Sequence, residues 1–482
     1  MSAPVDTAVA TGPGGAAASG RRLPLVLRNR SFGAVWLGQV LTQAAVRMFQ
    51  VGVSWWLVAY AVQDAGGLAS GLFMAVCTLP AVALAPAVAR VVGRFAHRSV
   101  LRAAAAVAAV VAAGLALWAQ GSGLPVAAVY AGALGLATCQ AFFDPCLTTS
   151  VPELVDDADI ETATGFELST QSLAGLGGAL LGALAVDHLG VGGLSTGCAA
   201  AYLAAALLIT RSRFRAAPAA DGGAPDPAET GTGGGGGASG RDGASGRDGA
   251  SGRDGASAGA GDATSVGARD ATSVGARDAT SAAAGRRSLF GILGALPAVR
   301  RILVCFTAAN LFTAAVFVVI PLYTRSVLHG TGGTVALLEA SLGAGTLAGA
   351  LTGARVPGRP TVAGAWCLVL MALALALPGL TAHRLVVAGC LAVAGWCAGA
   401  VSVRFVALFQ RLVPTADKPG FFAVMQAVLG ASLPVASLVF GLAGDHLSPQ
   451  ILCLVQGAGL VPAAFALALL GSRTPGPVGG HR

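Results

Sequence analysis

The sequence predicts an all-α membrane protein: twelve transmembrane helices arranged as two pseudo-symmetric six-helix bundles, with both termini cytoplasmic. Three observations predict it. Charged residues make up 11% of the 482-residue chain and hydrophobic ones 55%, with a mean hydropathy of +0.73, whereas about one-quarter of an ordinary soluble domain is charged. The apolar residues gather into roughly twelve runs of the length, about 20 residues, that a helix needs to cross about 30 Å of hydrocarbon. Three short stretches also occur twice, in the same order, at an offset near 260 residues. Ala89-Arg90-Val91-Val92-Gly93-Arg94 returns as Ala354-Arg355-Val356-Pro357-Gly358-Arg359. Val151-Pro152 ahead of Asp156 returns as Val413-Pro414 ahead of Asp417, and Leu184-Ala185-Val186-Asp187-His188-Leu189 as Leu442-Ala443-Gly444-Asp445-His446-Leu447. Each echo closes an apolar run, so the repeated unit is a set of membrane helices.

Taken in order, residues 1–30 lack a cleavable apolar core and read as a cytoplasmic tail. Runs near 33–62, 67–91, 99–120, 124–143, 162–186 and 192–210 make an N-terminal bundle over 31–211. Runs near 301–324, 334–354, 361–380, 384–409, 421–443 and 450–471 make a C-terminal bundle over 289–472, followed by a tail at 473–482. Residues 212–288, between the bundles, are dominated by Gly, Ala, Ser, Asp and Arg, with tandem Ala-Ser-Gly-Arg-Asp-Gly from Ala238 and Asp-Ala-Thr-Ser-Val-Gly-Ala-Arg from Asp262. Almost nothing there is large and apolar enough to offset ordering entropy, so a disordered cytoplasmic linker is predicted.

The net charge of +8 follows from topology rather than from nucleic acid. Odd-to-even turns hold only Arg325 and Arg384, while the other side receives Arg21, Arg22, Arg90, Arg94, Arg98, Arg102, Arg211, Arg300, Arg301, Arg355, Arg359, Arg411 and Lys418 among others. By the positive-inside rule that side is the cytoplasm, and the lipid bilayer is the chain's first partner. Lys418 is the only lysine and no G-x-x-x-x-G-K precedes it, so no Walker A loop and no ATP-driven motor is expected. The nine cysteines lie scattered in apolar runs without a C-x-x-C pair, and the histidines form no H-E-x-x-H. No metal, cofactor or catalytic constellation is expected, and hence no enzyme.

Polar residues inside the spans carry the functional signal. Gln39, Gln43, Arg47 and Gln50 recur at spacings of four, four and three, one face of the first helix, which in lipid must point into the bundle or a watery cavity. Arg47 falls near mid-span, where even lenient insertion scales charge about +2.5 to +3.5 kcal/mol. Such a residue holds an anionic group or a carboxylate and does not itself carry a proton, with a buried arginine paired for structure alone as the alternative. Thr307, Asn310 and Thr313 form a weaker stripe on the seventh helix, either packing contacts or substrate contacts. Proton coupling needs a carboxylate that loads and releases near neutral pH; Glu167 and Glu339 are the intramembrane choices, with Glu167 favoured as proton carrier or Arg47 partner. Arg404 is expected to snorkel. Asp187-His188 and Asp445-His446 read as helix-end caps, with a pH-sensing outer gate as the alternative. Gly175, Gly178 and Gly182, and Gly343, Gly345, Gly349 and Gly353, permit close helix crossings, either sliding faces or static packing. Trp55, Trp56 and Tyr60 fit an aromatic belt or a lid on a cavity.

Parallel repeats of membrane helices are a mark of secondary transporters, and the basic turn after the second and eighth helices resembles the major facilitator superfamily. Arg30-Ser31-Phe32 with Trp36-Leu37-Gly38-Gln39, Ala141-Phe142-Phe143-Asp144-Pro145 leading to Val151-Pro152-Glu153-Leu154-Val155, and Leu412-Val413-Pro414 resemble its branch of macrolide and enterobactin exporters. That resemblance implies a central cavity lined by helices 1, 4, 7 and 10, so Gln39, Gln43, Arg47, Gln50 and Asn310 become candidate substrate contacts. It also implies a cytoplasmic gate in the turn between helices 2 and 3, usually G-x-x-x-D-R-x-x-R-R. Here Ala89 and Gly93 replace the Gly and the Asp, which leaves Arg94 and Arg98, repeated as Arg355 and Arg359, to find a carboxylate elsewhere. Asp144, at the cytoplasmic end of helix 4, is the candidate, and the acidic turn of Glu153, Asp156, Asp157, Asp159 and Glu161 also faces that side. The function implied is proton-coupled efflux of a small hydrophobic or amphipathic molecule through the cytoplasmic membrane. A non-transporting accessory or receptor that kept the fold after its gate decayed, which Gly93 permits, is the alternative.

Overall fold

The computed structural model describes residues 25–62, 64–121, 123–155, 159–212, 297–353, 355–356, 358–414 and 418–473. The predicted linker beyond Ser212 and most of both tails lie outside them. All regular structure among the described residues is helical, and ten helical stretches are long and apolar enough to cross a membrane, against the twelve runs expected: Leu173–Arg211 counts once, and the run near 33–62, whose helix is Arg30–Trp56, is not among the ten.

A short turn α1 (Leu25–Arg28) leads to α2 (Arg30–Trp56), which continues as one π-helical stretch, Leu57–Ala61. Asn29 sets the start of α2: its side-chain oxygen accepts from the amides of Ser31 and Phe32, both at 3.1 Å, two donors a helix leaves orphaned at its first turn. Next come α3 (Gly66–Ala83) and α4 (Ala85–Arg94), separated at Leu84, with Pro86 in the first turn of α4 withholding the N–H that would continue the ladder. Then follow α5 (His97–Gly121), α6 (Val126–Leu154) and α7 (Ile160–Arg211). Inside α7 the backbone of Gly190 turns to φ 67°, ψ −178°, a conformation open to glycine, so two helical arms meet there. Beyond the linker lie α8 (Pro297–Ala314), α9 (Val316–Ser326), α10 (Gly332–Gly353), α11 (Pro360–Ala376), α12 (Arg384–Leu412), α13 (Lys418–His446) and α14 (Pro449–Arg473).

The element bounds correct the apolar runs in instructive places. The run 67–91 is two helices, and 301–324 is α8 and α9 joined through Ala315. The helix expected to stop at residue 143 runs through Pro145 and Pro152 to Leu154; inside a bundle, neighbouring groups re-satisfy the bonds a proline frees.

Glycines decide how closely the helices approach. A Cβ at Gly178 would come within 2.5 Å of Ala44 O, and one at Gly182 within 2.3 Å of Met48 O, which seats α7 directly on the backbone of α2. A Cβ at Gly345 would come within 2.0 Å of Ala392 O, and one at Gly349 within 2.0 Å of Trp396 O, which seats α10 on α12. These seams lie within one half of the chain, so they are static packing and not faces that slide between halves. A Cβ at Gly175 would meet nothing within 4 Å among the described residues. The halves meet instead where α3 lies against α13, through Gly67, Gly71 and Gly441, and where α10 lies against α7, through Gly332.

Candidate functional site

The polar stripe of α2 faces inward as its spacing requires. Gln39, Gln43 and Gln50 are 2%, 4% and 5% exposed, and Gln39 Nε2 is buried with no hydrogen-bond partner among the described residues. Arg47 donates to Gln50 Oε1 at 3.2 Å, lies over the Phe317 ring at 5.3 Å, and pairs with Glu339 at 3.8 Å. Glu339 projects from α10 and is 6% exposed, so it does not reach water at the near end of its helix. This pair joins the first half of the chain to the second. Arg47, Gln50, Ser54, Phe317, Pro321 and Glu339 line one small cavity. Glu167, the favoured partner in the sequence reading, lies on α7, but its side chain is outside the described residues.

A larger cavity sits within the first half, lined among others by Phe49, Gln50, Cys77, Gln140, Asp144 and Tyr202. Asp144 is 8% exposed and accepts from Gln43 Nε2 at 2.8 Å and from Gln140 Nε2. Its expected place at the cytoplasmic end of the helix is corrected: α6 runs ten residues further, to Leu154, about 15 Å at 1.5 Å per residue. Asp144 therefore lines the cavity from inside the span. Gln140, one turn earlier on the same face, was missed in the sequence reading, although its spacing of four from Asp144 carried the signal.

Asn310 joins two helices. Its amide donates to Ser432 Oγ at 2.6 Å and to Leu429 O at 3.3 Å, tying α8 to α13, while Thr307 and Thr313 bond back to carbonyls of their own helix. Arg404 does not snorkel: it donates to the carbonyls of Val356, Gly358 and Gly353, closing the C-terminal end of α10, where cations suit the helix dipole.

At the face assigned to the cytoplasm, Arg94 is exposed at the end of α4. Arg98 donates to Thr210 O at 2.5 Å in the last turn of α7. Arg355 and Arg359 are exposed beyond α10. The carboxylates of the acidic turn that are described meet other partners: Glu153 Oε1 lies 2.6 Å from His97 Nδ1, and Asp159 pairs with Arg28. Asp156 and Asp157, and the side chain of Glu161, lie outside the described residues. Asn29 also donates to Leu154 O at 2.7 Å, so the Arg30-Ser31-Phe32 and Val151-to-Val155 stretches form one clasp.

At the opposite face, Asp187 Oδ1 accepts from Trp55 Nε1 at 2.7 Å and Tyr60 OH at 2.9 Å, and its Oδ2 from the amide of Gly332 at 2.5 Å. Asp445 accepts from the amides of Gly67 at 2.8 Å and Leu68 at 3.1 Å. Each carboxylate thus caps a helix of the other half and not the end of its own. Trp55, 2% exposed, belongs to this network and not to a lipid-facing belt.

The family model described as Major Facilitator Superfamily matches residues 35–364. No curated protein sequence matches the chain. Among solved structures, a POT family transporter aligns with TM-score 0.62 at 12% identity, covering 94% of this chain and 98% of its own. A bacterial homologue of the iron transporter ferroportin, in an inward-facing state, aligns with TM-score 0.62 at 11% identity, covering 92% and 99%. A D-xylose-proton symporter aligns with TM-score 0.60 at 13% identity, covering 91% and 96%. At these identities the likeness is one of fold.

Proposed function

Because this chain belongs to the Major Facilitator Superfamily, we propose that it is a proton-coupled carrier that exports a small hydrophobic or amphipathic compound across the cytoplasmic membrane. In this reading the helices form twelve spans in two six-helix bundles, with both termini cytoplasmic. The observation that supports it most is the Arg47–Glu339 pair, 3.8 Å apart with side chains 22% and 5% exposed. It joins the two halves and both side chains line one small cavity; in this reading it is an ion pair inside the membrane. Intramembrane ionisable pairs of this kind mark substrate and proton paths.

The chemistry follows from the two side chains. Arg47 keeps its charge at any physiological pH, so a travelling proton rides on the carboxylate of Glu339. Protonating Glu339 removes the attraction that holds α2 against α10 at mid-membrane and leaves Arg47 to Gln50, the Phe317 face or an incoming ligand. Substrate enters the cavity lined by Gln50, Gln140, Asp144 and Phe49, where amides and a carboxylate orient polar groups and the apolar walls take the rest. The export direction rests on the motif resemblance to macrolide and enterobactin exporters. The proton as coupling ion is in keeping with the D-xylose-proton symporter that shares the fold.

The test is transport by purified protein in proteoliposomes, across a compound panel, with and without an imposed proton gradient. The expected result is gradient-driven movement of at least one amphipathic compound. Arg47→Ala lowers it at least about tenfold, and Glu339→Gln permits exchange without gradient-driven accumulation. Transport indifferent to the gradient overturns the coupling assignment. Specific ligand binding with no translocation by any panel member supports the accessory or receptor reading instead.

A further inference from the structure

The two repeated Leu-Ala-x-Asp-His-Leu stretches converge on one geometry that the carrier reading leaves unused. Asp187, at the end of the first arm of α7, accepts the first amide of α10; Asp445, at the end of α13, accepts the first amides of α3. Both bonds cross from one half of the chain to the other. Both lie at the face away from the arginine-rich turns. The first N–H groups of a helix have no acceptor within that helix, and a carboxylate there also meets the positive end of the helix dipole. The close approach is built in: a Cβ at Gly332 would come within 2.3 Å of Ala183 O, and one at Gly67 within 2.6 Å of Gly441 O. The two oxygens of Asp187 divide the work, since Trp55 and Tyr60 of its own half hold Oδ1 and so aim Oδ2 across at Gly332.

We propose that Asp187 and Asp445 form a reciprocal two-point latch that holds the outer side of the protein shut, each half gripping the N-terminus of a helix in the other. The latch rests on the reading that the halves rock against each other. It consists of hydrogen bonds and helix-end charge and has no covalent tie. Opening therefore requires only that the amides of α3 and α10 exchange the carboxylates for water, and water is at hand at this face. Because both grips close the same seam, releasing one leaves the other holding, and the seam opens freely only when both are gone. Trp55 acts as a positioning residue, through Asp187.

Hydrogen–deuterium exchange measured by mass spectrometry on the full chain in lipid nanodiscs tests this without any substrate, so failure to find transport leaves the result readable. Asp445→Ala is expected to raise exchange at the Gly67 and Leu68 amides about tenfold or more, the scale of losing a hydrogen bond to a charged acceptor, with little change at Gly332. Asp187→Ala is expected to do the converse. The double variant is expected to raise exchange at both helix starts by more than the two single effects combined. Unchanged exchange, in either single variant, at the helix start that the replaced aspartate grips (Gly67 and Leu68 for Asp445, Gly332 for Asp187) overturns the latch. So does a double variant that gives only the combined single effects, which would make the carboxylates independent local caps. If an alanine variant fails to fold, Asp445→Asn replaces it at Asp445. At Asp187, Trp55→Phe keeps the carboxylate and must still raise exchange at Gly332; no rise there overturns the latch as well.

Discussion

At Arg47 the penalty for drawing a charge away from water is met by three neighbours of different kinds: a carboxylate, an amide oxygen and an aromatic face. Removing the guanidinium leaves Glu339, 6% exposed, without its cation. Breaking one partner of a buried pair costs about 3–5 kcal/mol, and the partial exposure of Arg47 places this pair toward the lower end of that span. Arg47→Ala is therefore expected to lower the thermal unfolding temperature in detergent markedly, Glu339→Gln much less, and the double variant to recover stability relative to Arg47→Ala alone. A double-mutant cycle with no coupling between the two positions would remove the pair from the account. The inward stripe of α2 was legible from spacing alone, because a period near 3.6 assigns a face and lipid forbids polar groups on the other. The identity of the partner was not legible. Glu167 and Glu339 are equally intramembrane in the sequence, and only the packing of α10 against α2 brings one of them to Arg47.

At the scale of elements, the helices divide their glycines between two tasks that sequence spacing does not separate. Gly349 lies against a backbone carbonyl of α12 with no room for a methyl group, whereas a methyl group on Gly114, in α5, would meet nothing within 4 Å among the described residues. Gly349→Ala is expected to destabilise the protein by about 1–3 kcal/mol, as overpacking does. Gly114→Ala is expected to leave it unchanged or stabilise it by up to about 1 kcal/mol through helix propensity. A thermal-shift assay that ranks the two variants the other way would contradict the packing described for α10 and α12. Element ends show the same division. The run ending at residue 143 stopped at Asp144-Pro145 because a proline and a charge together break soluble helices. In the bundle α6 continues to Leu154, and Asp144 moves from a gate at the surface to the wall of a cavity.

For the whole molecule, the distribution of arginine predicts orientation. A fluorescent protein fused after Arg482 is expected to fold and fluoresce, and an alkaline phosphatase fused there to be inactive, since both report a cytoplasmic end. The reverse pattern would invert the topology and with it the assignment of Asp187 and Asp445 to the outer face. The halves touch through α3 with α13 and through α7 with α10, the arrangement a rocking carrier needs if one side is to close while the other opens.

By itself the sequence determined that this chain lives in a bilayer, how its apolar segments divide around a polar linker, which face of α2 turns inward, and that Asp187 and Asp445 are counterparts. Each of these follows from local composition, period or repetition, because lipid rewards or punishes each segment separately. Only the tertiary structure decided that Glu339 meets Arg47, that Asn310 bonds to Ser432 and Leu429, that Asp144 lines a cavity, and that the repeated aspartates reach across to the opposite half. Those outcomes depend on which backbones come within a few ångströms of one another. That distance is set by pairs of helices far apart in the chain, and no single segment encodes it.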